Sequence, residues 1–380
     1  MPPASPIAHG AVRPDGPPRS HRSRRRFLTG LAATSLVSGL SACADGFQLG
    51  GAGSVPPGTQ GRAALLAPLT GPRARLGQIM RQAASLGGSG VGLTTELEIL
   101  DSGDTADSAV KAALAATSAG ARMLIGPLFA EQAAAVARAV PARVPVVALT
   151  NDTSVAGGNL FVFGITPRHS AQAILSLAAA RGLRDIGMVV PPGAFGERSV
   201  AAARSLAGPL GITLRPPLVR SSAEGLAQAL RAGGDGLPDA VYIPSADATL
   251  PRHLAALRGS AVQVLGSVQW SALDVTTDPV FRDAWFAAPD PLRFEPFANL
   301  LESQSDGPAG ILAGLAFDGA EMARLLGRLD MQDRKGLLRK DGFNGVLGPY
   351  RFLPSGDCQR GLAVLKVGDG AITLLGATSV

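Results

Sequence analysis

The sequence predicts an α/β protein of two lobes, each a mostly parallel sheet flanked by helices, with a hinge between them. Three observations predict it. The chain has 380 residues, 46% of them hydrophobic and 17% charged, which is enough apolar material for a large two-lobed body and rules out wholesale disorder. From Arg62 onward, short apolar runs alternate with Ala-rich stretches, the pattern of strands and helices stacked in parallel layers. After residue 165 the alternation starts again, so two units of similar size are expected.

Taken in order, Ala63–Leu69 reads as a buried strand that Thr70-Gly71-Pro72 turns into a helix ending near Leu86. Strands follow at Glu96–Leu100, Met123–Ile125, Val144–Leu149 and Phe161–Ile165, with helices at about 106–119 and 130–139 between them. The second round has helices near 169–181, 195–208, 223–232 and 247–258. Its strands are Ile186–Val190, a run near 212–219, Ala240–Ile243 and Val262–Gly266. Two more helices are expected at about 294–304 and 308–328. Leu362–Val367 and Ala371–Leu375, joined by Gly368-Asp369-Gly370, form a β-hairpin.

The charge is uneven. Residues 1–42 hold six Arg against one Asp, so they carry five of the six net positive charges. The body is nearly neutral and only 4% of the chain is aromatic, which argues against a nucleic-acid reader. Residues 1–22 have no apolar period, and Ser23-Arg24-Arg25-Arg26-Phe27-Leu28 then opens an apolar stretch to Ala42 that is short for a membrane span. The run resembles a twin-arginine export signal; an ordinary export signal with a basic start is the other reading. Leu40-Ser41-Ala42-Cys43 resembles a lipobox, which makes Cys43 the lipidated residue and the membrane anchor. Ala44 after it favours the outer membrane of a periplasm-facing protein. Residues 43–61 are a Gly/Pro-rich tether. With Cys43 acylated, Cys358, the other cysteine of two, has no partner for a disulfide.

No phosphate-binding loop, dinucleotide fingerprint or nucleophile elbow is present. Of the four His, His169 and His253 lie in the body, and neither has a second ligand at metal-binding spacing. Asp101 and Asp104 are read as loop and cap residues, with a divalent-ion site as the alternative. No catalytic constellation emerges, and neither enzyme activity nor a cofactor is expected.

Several strand-end motifs carry a family resemblance. Leu65-Leu66-Ala67-Pro68-Leu69-Thr70-Gly71-Pro72, Ile125-Gly126-Pro127-Leu128, Pro145–Thr150, Ala194-Phe195-Gly196-Glu197, Phe317-Asp318-Gly319-Ala320 and the Phe343–Gly356 run occur in the order of the type I periplasmic solute-binding proteins, the leucine/isoleucine/valine-binding kind. The run from Asn151 to Pro167 resembles the penicillin-binding protein activator lipoproteins of the same fold, which stimulate peptidoglycan synthases. The resemblance covers about residues 62–376 and implies a first lobe of about 62–165 and 290–335, and a second of about 166–289 and 336–376.

It also implies a cleft between the lobes lined by Thr70, Gly71, Leu128, Ala148, Thr150, Phe195, Gln269 and Asp318. In amino-acid-binding relatives a hydroxyl and backbone N–H groups hold the ligand carboxylate, and an acid on the second lobe holds the ammonium. Here Ala148 and Thr150 match the carboxylate side. Phe129 or Ala130 stands where a hydroxyl is expected, Phe195 replaces a Tyr, and the neutral Gln269 stands where the acid is sought. For Gly71, Gly126, Gly196, Thr150 and Asp318 a purely structural role is the other reading. Two functions follow: a regulator whose partner is a peptidoglycan synthase, or a receptor that presents a small-molecule ligand to an ABC permease.

Overall fold

The computed structural model describes residues 62–86, 97–304 and 309–380. The export signal, the Cys43 box and the tether lie outside the described residues. The first lobe runs β1 (Arg62–Ala67), α1 (Ala74–Leu86), β2 (Leu97–Asp101), α2 (Ala106–Ser118), β3 (Ala121–Ile125), α3 (Ala130–Ala139), β4 (Val146–Ala148) and β5 (Leu160–Val162). These strands form one parallel sheet in the order β2-β1-β3-β4-β5. Because side chains alternate across a strand, Ala63, Leu65 and Ala67 of β1 join the core on one face, while Ala64 and Leu66 pack with Ala109, Ala113 and Ala133 of α2 and α3 on the other. A strand covered on both faces needs apolar residues throughout, which is why 63–67 is an unbroken apolar run. At the start of α2 the Thr105 hydroxyl accepts the Ser108 N–H and the Ser108 hydroxyl accepts the Thr105 N–H, a reciprocal cap.

The second lobe follows with α4 (Pro167–Ala180), β6 (Asp185–Val190), α5 (Ala194–Leu210), β7 (Thr213–Leu214), β8 (Leu218–Val219), α6 (Leu226–Ala232), β9 (Ala240–Ile243), α7 (Leu250–Leu257), β10 (Gln263–Gly266) and β11 (Trp285–Ala288). The chain ends with α8 (Pro291–Glu302), α9 (Ile311–Arg328), α10 (Arg334–Leu337), β12 (Phe343–Gly345), β13 (Gly348–Phe352), β14 (Cys358–Arg360), β15 (Ala363–Val367) and β16 (Ile372–Ala377). The second sheet has the order β16-β15-β11-β10-β9-β6-β7, with β8 also on β6. It is parallel except at one edge, where β15 adds antiparallel to β11 and β16 antiparallel to β15.

Three elements differ from the sequence reading. The strand expected at 212–219 is split into β7 and β8, because Pro216 and Pro217 between them offer no N–H to a ladder. β11 escaped the reading: it is a four-residue run whose apolar residues have no period to mark them. The resemblance implies that the whole stretch 336–376 belongs to the second lobe. Instead, β12–β14 form a small sheet of their own, with Tyr350 stacked edge-on to Phe163 at 4.8 Å and Phe352 to Phe161 at 5.6 Å, beside the first sheet.

α9 returns to the first sheet, packing on α1, β1 and β3. Its small buried residues Ala313, Ala316, Ala320 and Ala323 allow close approach, and Arg324 donates from it to the Ala84 carbonyl of α1 at 2.8 Å. The chain therefore passes between the sheets around residues 163–166, 289–290 and 361–362. One buried core joins Leu65 and Ile125 of the first sheet to Met188 and Leu265 of the second.

Candidate functional site

The carboxyl ends of β4 and β10 face each other across the crossings, and between them lies a cavity of 690 Å³. Leu128, Leu149, Thr150 and Asn151 line it from the first lobe. Val268, Gln269, Trp270, Ser271 and Phe286 line it from the second, and Phe294, Ile311 and Leu315 from α8 and α9. Its position at strand carboxyl ends is where open α/β sheets bind ligands. The polar side chains are few, and all but one are neutral. Thr150 is 7% exposed; its hydroxyl oxygen accepts the Asp152 N–H at 3.2 Å and its carbonyl accepts the Gly164 N–H at 3.0 Å. Among the described residues, Glu295 is the one ionisable side chain in the lining, and it is exposed. Outside the lining, the Arg73 guanidinium lies 4.1 Å from the centroid of the Phe129 ring, which is part of the wall.

Of the eight residues expected in the cleft, Leu128, Thr150 and Gln269 line this cavity. Phe195 does not. It borders a separate void of about 10 Å³ behind Gln269, with Ser170, Ser199 and Tyr242. Tyr242 is fully buried, and its hydroxyl meets no acceptor among the described residues. Ala148 is sealed in β4, its carbonyl accepting the Phe163 N–H at 2.8 Å, and has no face on the cavity.

Thr70 and Gly71 are exposed at the end of β1 and serve the loop. The Thr70 hydroxyl donates to Asp101 Oδ2 at 2.6 Å. Burial pushes the Asp101 carboxyl up, but the Thr70 hydroxyl and the N–H groups of Gly103, Leu69 and Thr70 together hold it below the ordinary value. Gly71 has φ +80°, a left-handed conformation that favours glycine, and a Cβ there would displace the Asp104 carboxylate. Among the described residues no group of three or more His, Cys, Asp or Glu could hold a metal.

Asp318 is also absent from the cavity. It lies on the far side of α9, where Oδ1 accepts the Val346 N–H at 2.7 Å and Oδ2 accepts the Leu347 N–H at 3.3 Å. Arg360 pairs with it at 3.5 Å, with neither side chain more than 1% exposed. The structural reading of this acid is the one the geometry favours. Burial pushes its carboxyl up to about 6 against the pull of Arg360 and the two N–H groups.

Two contacts tie the lobes together. Asp152, just after β4, pairs with Arg198 of α5 at 3.7 Å. His169 of α4 sits within 2.7 Å of the Cys358 carbonyl. Since His169 Nδ1 accepts the Thr166 N–H, its proton is on Nε2 and the ring donates to Cys358 in its neutral form. Burial, with Arg360 and Arg168 nearby, lowers its pKa to about 4 despite the bond to Cys358. Sequence reasoning missed the apolar walls, Phe294, Ile311 and Leu312, because wall and core residues look alike in a sequence.

Two sheets joined by three crossings, with a cavity at the strand ends, define a two-lobed ligand-cleft protein. Residues 61–277 match the family model of the periplasmic binding proteins, more than half of the chain, and the chain belongs to that family. The family is one of binding proteins and points to the periplasm. Among the described residues no helix is long and apolar enough to cross a membrane. A comparison with curated protein sequences gives no match.

Solved structures share the fold. A putative branched-chain amino acid ABC transporter protein from Rhodospirillum rubrum superposes with a TM-score of 0.71 at 19% identity, covering 83% of this chain and 99% of that one. The C-domain of LpoA from Haemophilus influenzae, described as a regulator of PBP1A, gives 0.66 at 18% identity over 83% of this chain and 100% of that one. A solute-binding protein from Rhodopseudomonas palustris BisB5, in complex with 3,4-dihydroxybenzoic acid, gives 0.59 at 16% identity over 84% and 97%.

Proposed function

We propose that the chain is an exported protein, lipid-anchored at Cys43, that regulates a peptidoglycan synthase as the penicillin-binding protein activators do, and is not an amino-acid receptor. The observation that carries this is the missing charge pair. A buried zwitterion needs donors for its carboxylate and an acid for its ammonium. Gln269, where the acid is sought, is neutral, and Asp318 of α9, expected to line the cleft, is bound to Arg360 outside the cavity. The segment that resembles the activators, Asn151 to Pro167, also carries the half-exposed inter-lobe pair Asp152–Arg198. The test is a glycan-polymerisation assay with purified synthases of the source cell, with and without the purified protein. Stimulation at a stoichiometric ratio supports the reading. Micromolar calorimetric binding of leucine, valine, glutamate or alanine would overturn it.

A second reading, a solute receptor for an ABC permease, is favoured by one observation: the 690 Å³ cavity is lined by both lobes and is mostly apolar. The neighbour with a bound aromatic acid belongs to this reading. Growth of a deletion strain on single carbon or nitrogen sources, with loss of uptake of one of them, would favour it over the first.

A further inference from the structure

We infer that the small void at Tyr242 is a binding site for one hydroxyl oxygen, that of a water or of a hydroxylated small molecule lying in the adjoining cavity. This goes beyond both proposed functions, and nothing in it depends on which of the two is right.

The residue itself comes first. Tyr242 stands inside β9, paired with Leu265 of β10 on one side and Met188 of β6 on the other. Every residue of β9 is buried, and the others, Ala240, Val241 and Ile243, are apolar. A hydroxyl in such a place costs free energy unless it is bonded. Yet the Tyr242 hydroxyl has no acceptor among the described residues. Burial pushes its pKa far above the ordinary value, so it stays protonated and can act as a donor.

The void supplies the place for an acceptor. It measures about 10 Å³, at the lower edge of what a single water occupies, roughly 10–15 Å³. Ser170 and Ser199 border it together with Tyr242, and both are buried. The Ser170 hydroxyl oxygen accepts the Val268 N–H at 3.3 Å, and its own proton has no acceptor among the described residues. The Ser199 hydroxyl gives its proton to the Phe195 carbonyl at 2.8 Å, which leaves its oxygen free to accept. Two donors and one acceptor therefore border one atom-sized space. A hydroxyl oxygen matches that set, since it accepts two hydrogen bonds and donates one. An ammonium has no lone pair for either donor, and a methyl group satisfies none of the three. Ile165, Val268 and Gln269 line both this void and the 690 Å³ cavity, and Gln269 is the exposed member of that partition. A turn of its side chain joins the two spaces. A ligand hydroxyl that displaces the water then keeps the same hydrogen bonds.

The test is a double-variant cycle on the purified full chain, Tyr242→Phe with Ser199→Ala, read by urea unfolding. The two side chains share no hydrogen bond, so coupling between them reports an oxygen that bridges them. Each single variant is expected to lower the midpoint, and the double variant to lower it by less than the sum. A higher midpoint in Tyr242→Phe overturns the inference, because it means that an unpaired donor has been removed. Additive losses overturn it as well. Calorimetry with 2-naphthamide and 6-hydroxy-2-naphthamide then tells the source of the oxygen. A preference of about tenfold for the hydroxylated amide, lost in Tyr242→Phe, assigns it to the ligand. Equal binding, no binding, or a preference that survives the change assigns it to water. None of these outcomes depends on the synthase assay or on uptake, so the failure of a proposed function is recognised separately.

Discussion

Asp318 on α9 and Arg360 on β14 form an ion pair sealed from solvent, with Nη1 and Oδ2 3.5 Å apart. The Arg360 guanidinium lies over the rings of Phe163 at 4.6 Å and Tyr350 at 4.9 Å, and its Nη2 donates to the Phe163 carbonyl at 3.3 Å. The pair thus ties α9, the small sheet and the first crossing into one unit. Gly345 is required beside it, since a Cβ there would stand 2.3 Å from Asp318 Oδ2.

Removing one partner leaves the other buried and unpaired. Asp318→Ala or Arg360→Ala is expected to destabilise the fold by about 3–5 kcal/mol. The double change Asp318→Leu with Arg360→Met should recover most of that loss, since an apolar pair of similar volume escapes the desolvation cost. Urea unfolding of the three variants checks this. If Asp318→Ala costs less than about 1 kcal/mol but removes ligand binding, the acid belongs to the site after all.

The same region gives a pH dependence with two opposed slopes. Asp318 has its carboxyl raised from 3.8 to about 6, so between those values the folded state binds more protons and this group adds stability as pH falls. His169 is lowered from 6.5 to about 4, so there the unfolded state binds more protons and stability is lost as pH falls. Each effect amounts to roughly 3 kcal/mol at most, and in the wild type they nearly cancel between about pH 4 and 6. Asp318→Asn should expose the His169 slope, a loss of stability on acidification from pH 6.5. His169→Gln should expose the opposite slope. Identical pH profiles for the two variants would refute both assignments.

The layer order was legible from sequence because buried parallel strands are unbroken apolar runs and their helices are Ala-rich. Val144–Leu149 and Ala240–Ile243 could hardly be read otherwise. β11 was not legible: its pairing with β10 and β15 is long-range and its four residues carry no period. At the site, Thr150 and Gln269 were found because they sit at strand ends. Asp318 and Ala148 also lie on expected elements, but which face of a helix or strand meets the cavity depends on packing partners far away in the chain. Asp318 faces the Val346 and Leu347 N–H groups, a contact across 28 and 29 residues that no local motif reports.

The proposed export and anchoring rest on the Arg24-Arg25 run and the Leu40–Cys43 box. Cys43→Ser removes the thiol that a diacylglycerol thioether requires. The variant is expected to lose palmitate labelling and to accumulate uncut or wrongly cut. Unchanged labelling would show that Cys43 is not the acylated residue. Replacing Arg24 and Arg25 by Lys should block export if the twin-arginine route is used, and leave it intact if the ordinary secretion route is used.

Gln269 offers the sharpest probe of the cavity's charge. It is exposed, lines the 690 Å³ cavity and also borders the small void beside Phe195. Its N–H is held by the Ser267 hydroxyl at 3.0 Å, so the backbone should stay in place when the side chain changes. Gln269→Glu puts a carboxylate where amino-acid-binding relatives are expected to hold an ammonium. Because the position is solvent-screened, the gain for a bound cation should be about 1 kcal/mol at most, or roughly fivefold in affinity. Calorimetry should show 2-naphthylmethylamine binding a few-fold more tightly to the variant, 2-naphthoate more weakly, and 2-naphthamide nearly unchanged. Tryptophan should gain by no more than the same factor, since only its ammonium meets the new, solvent-screened carboxylate. If all four probes respond equally, residue 269 does not face the ligand. Should tryptophan instead rise to micromolar affinity, the missing acid was the only obstacle to amino-acid binding, and the receptor reading replaces the regulator.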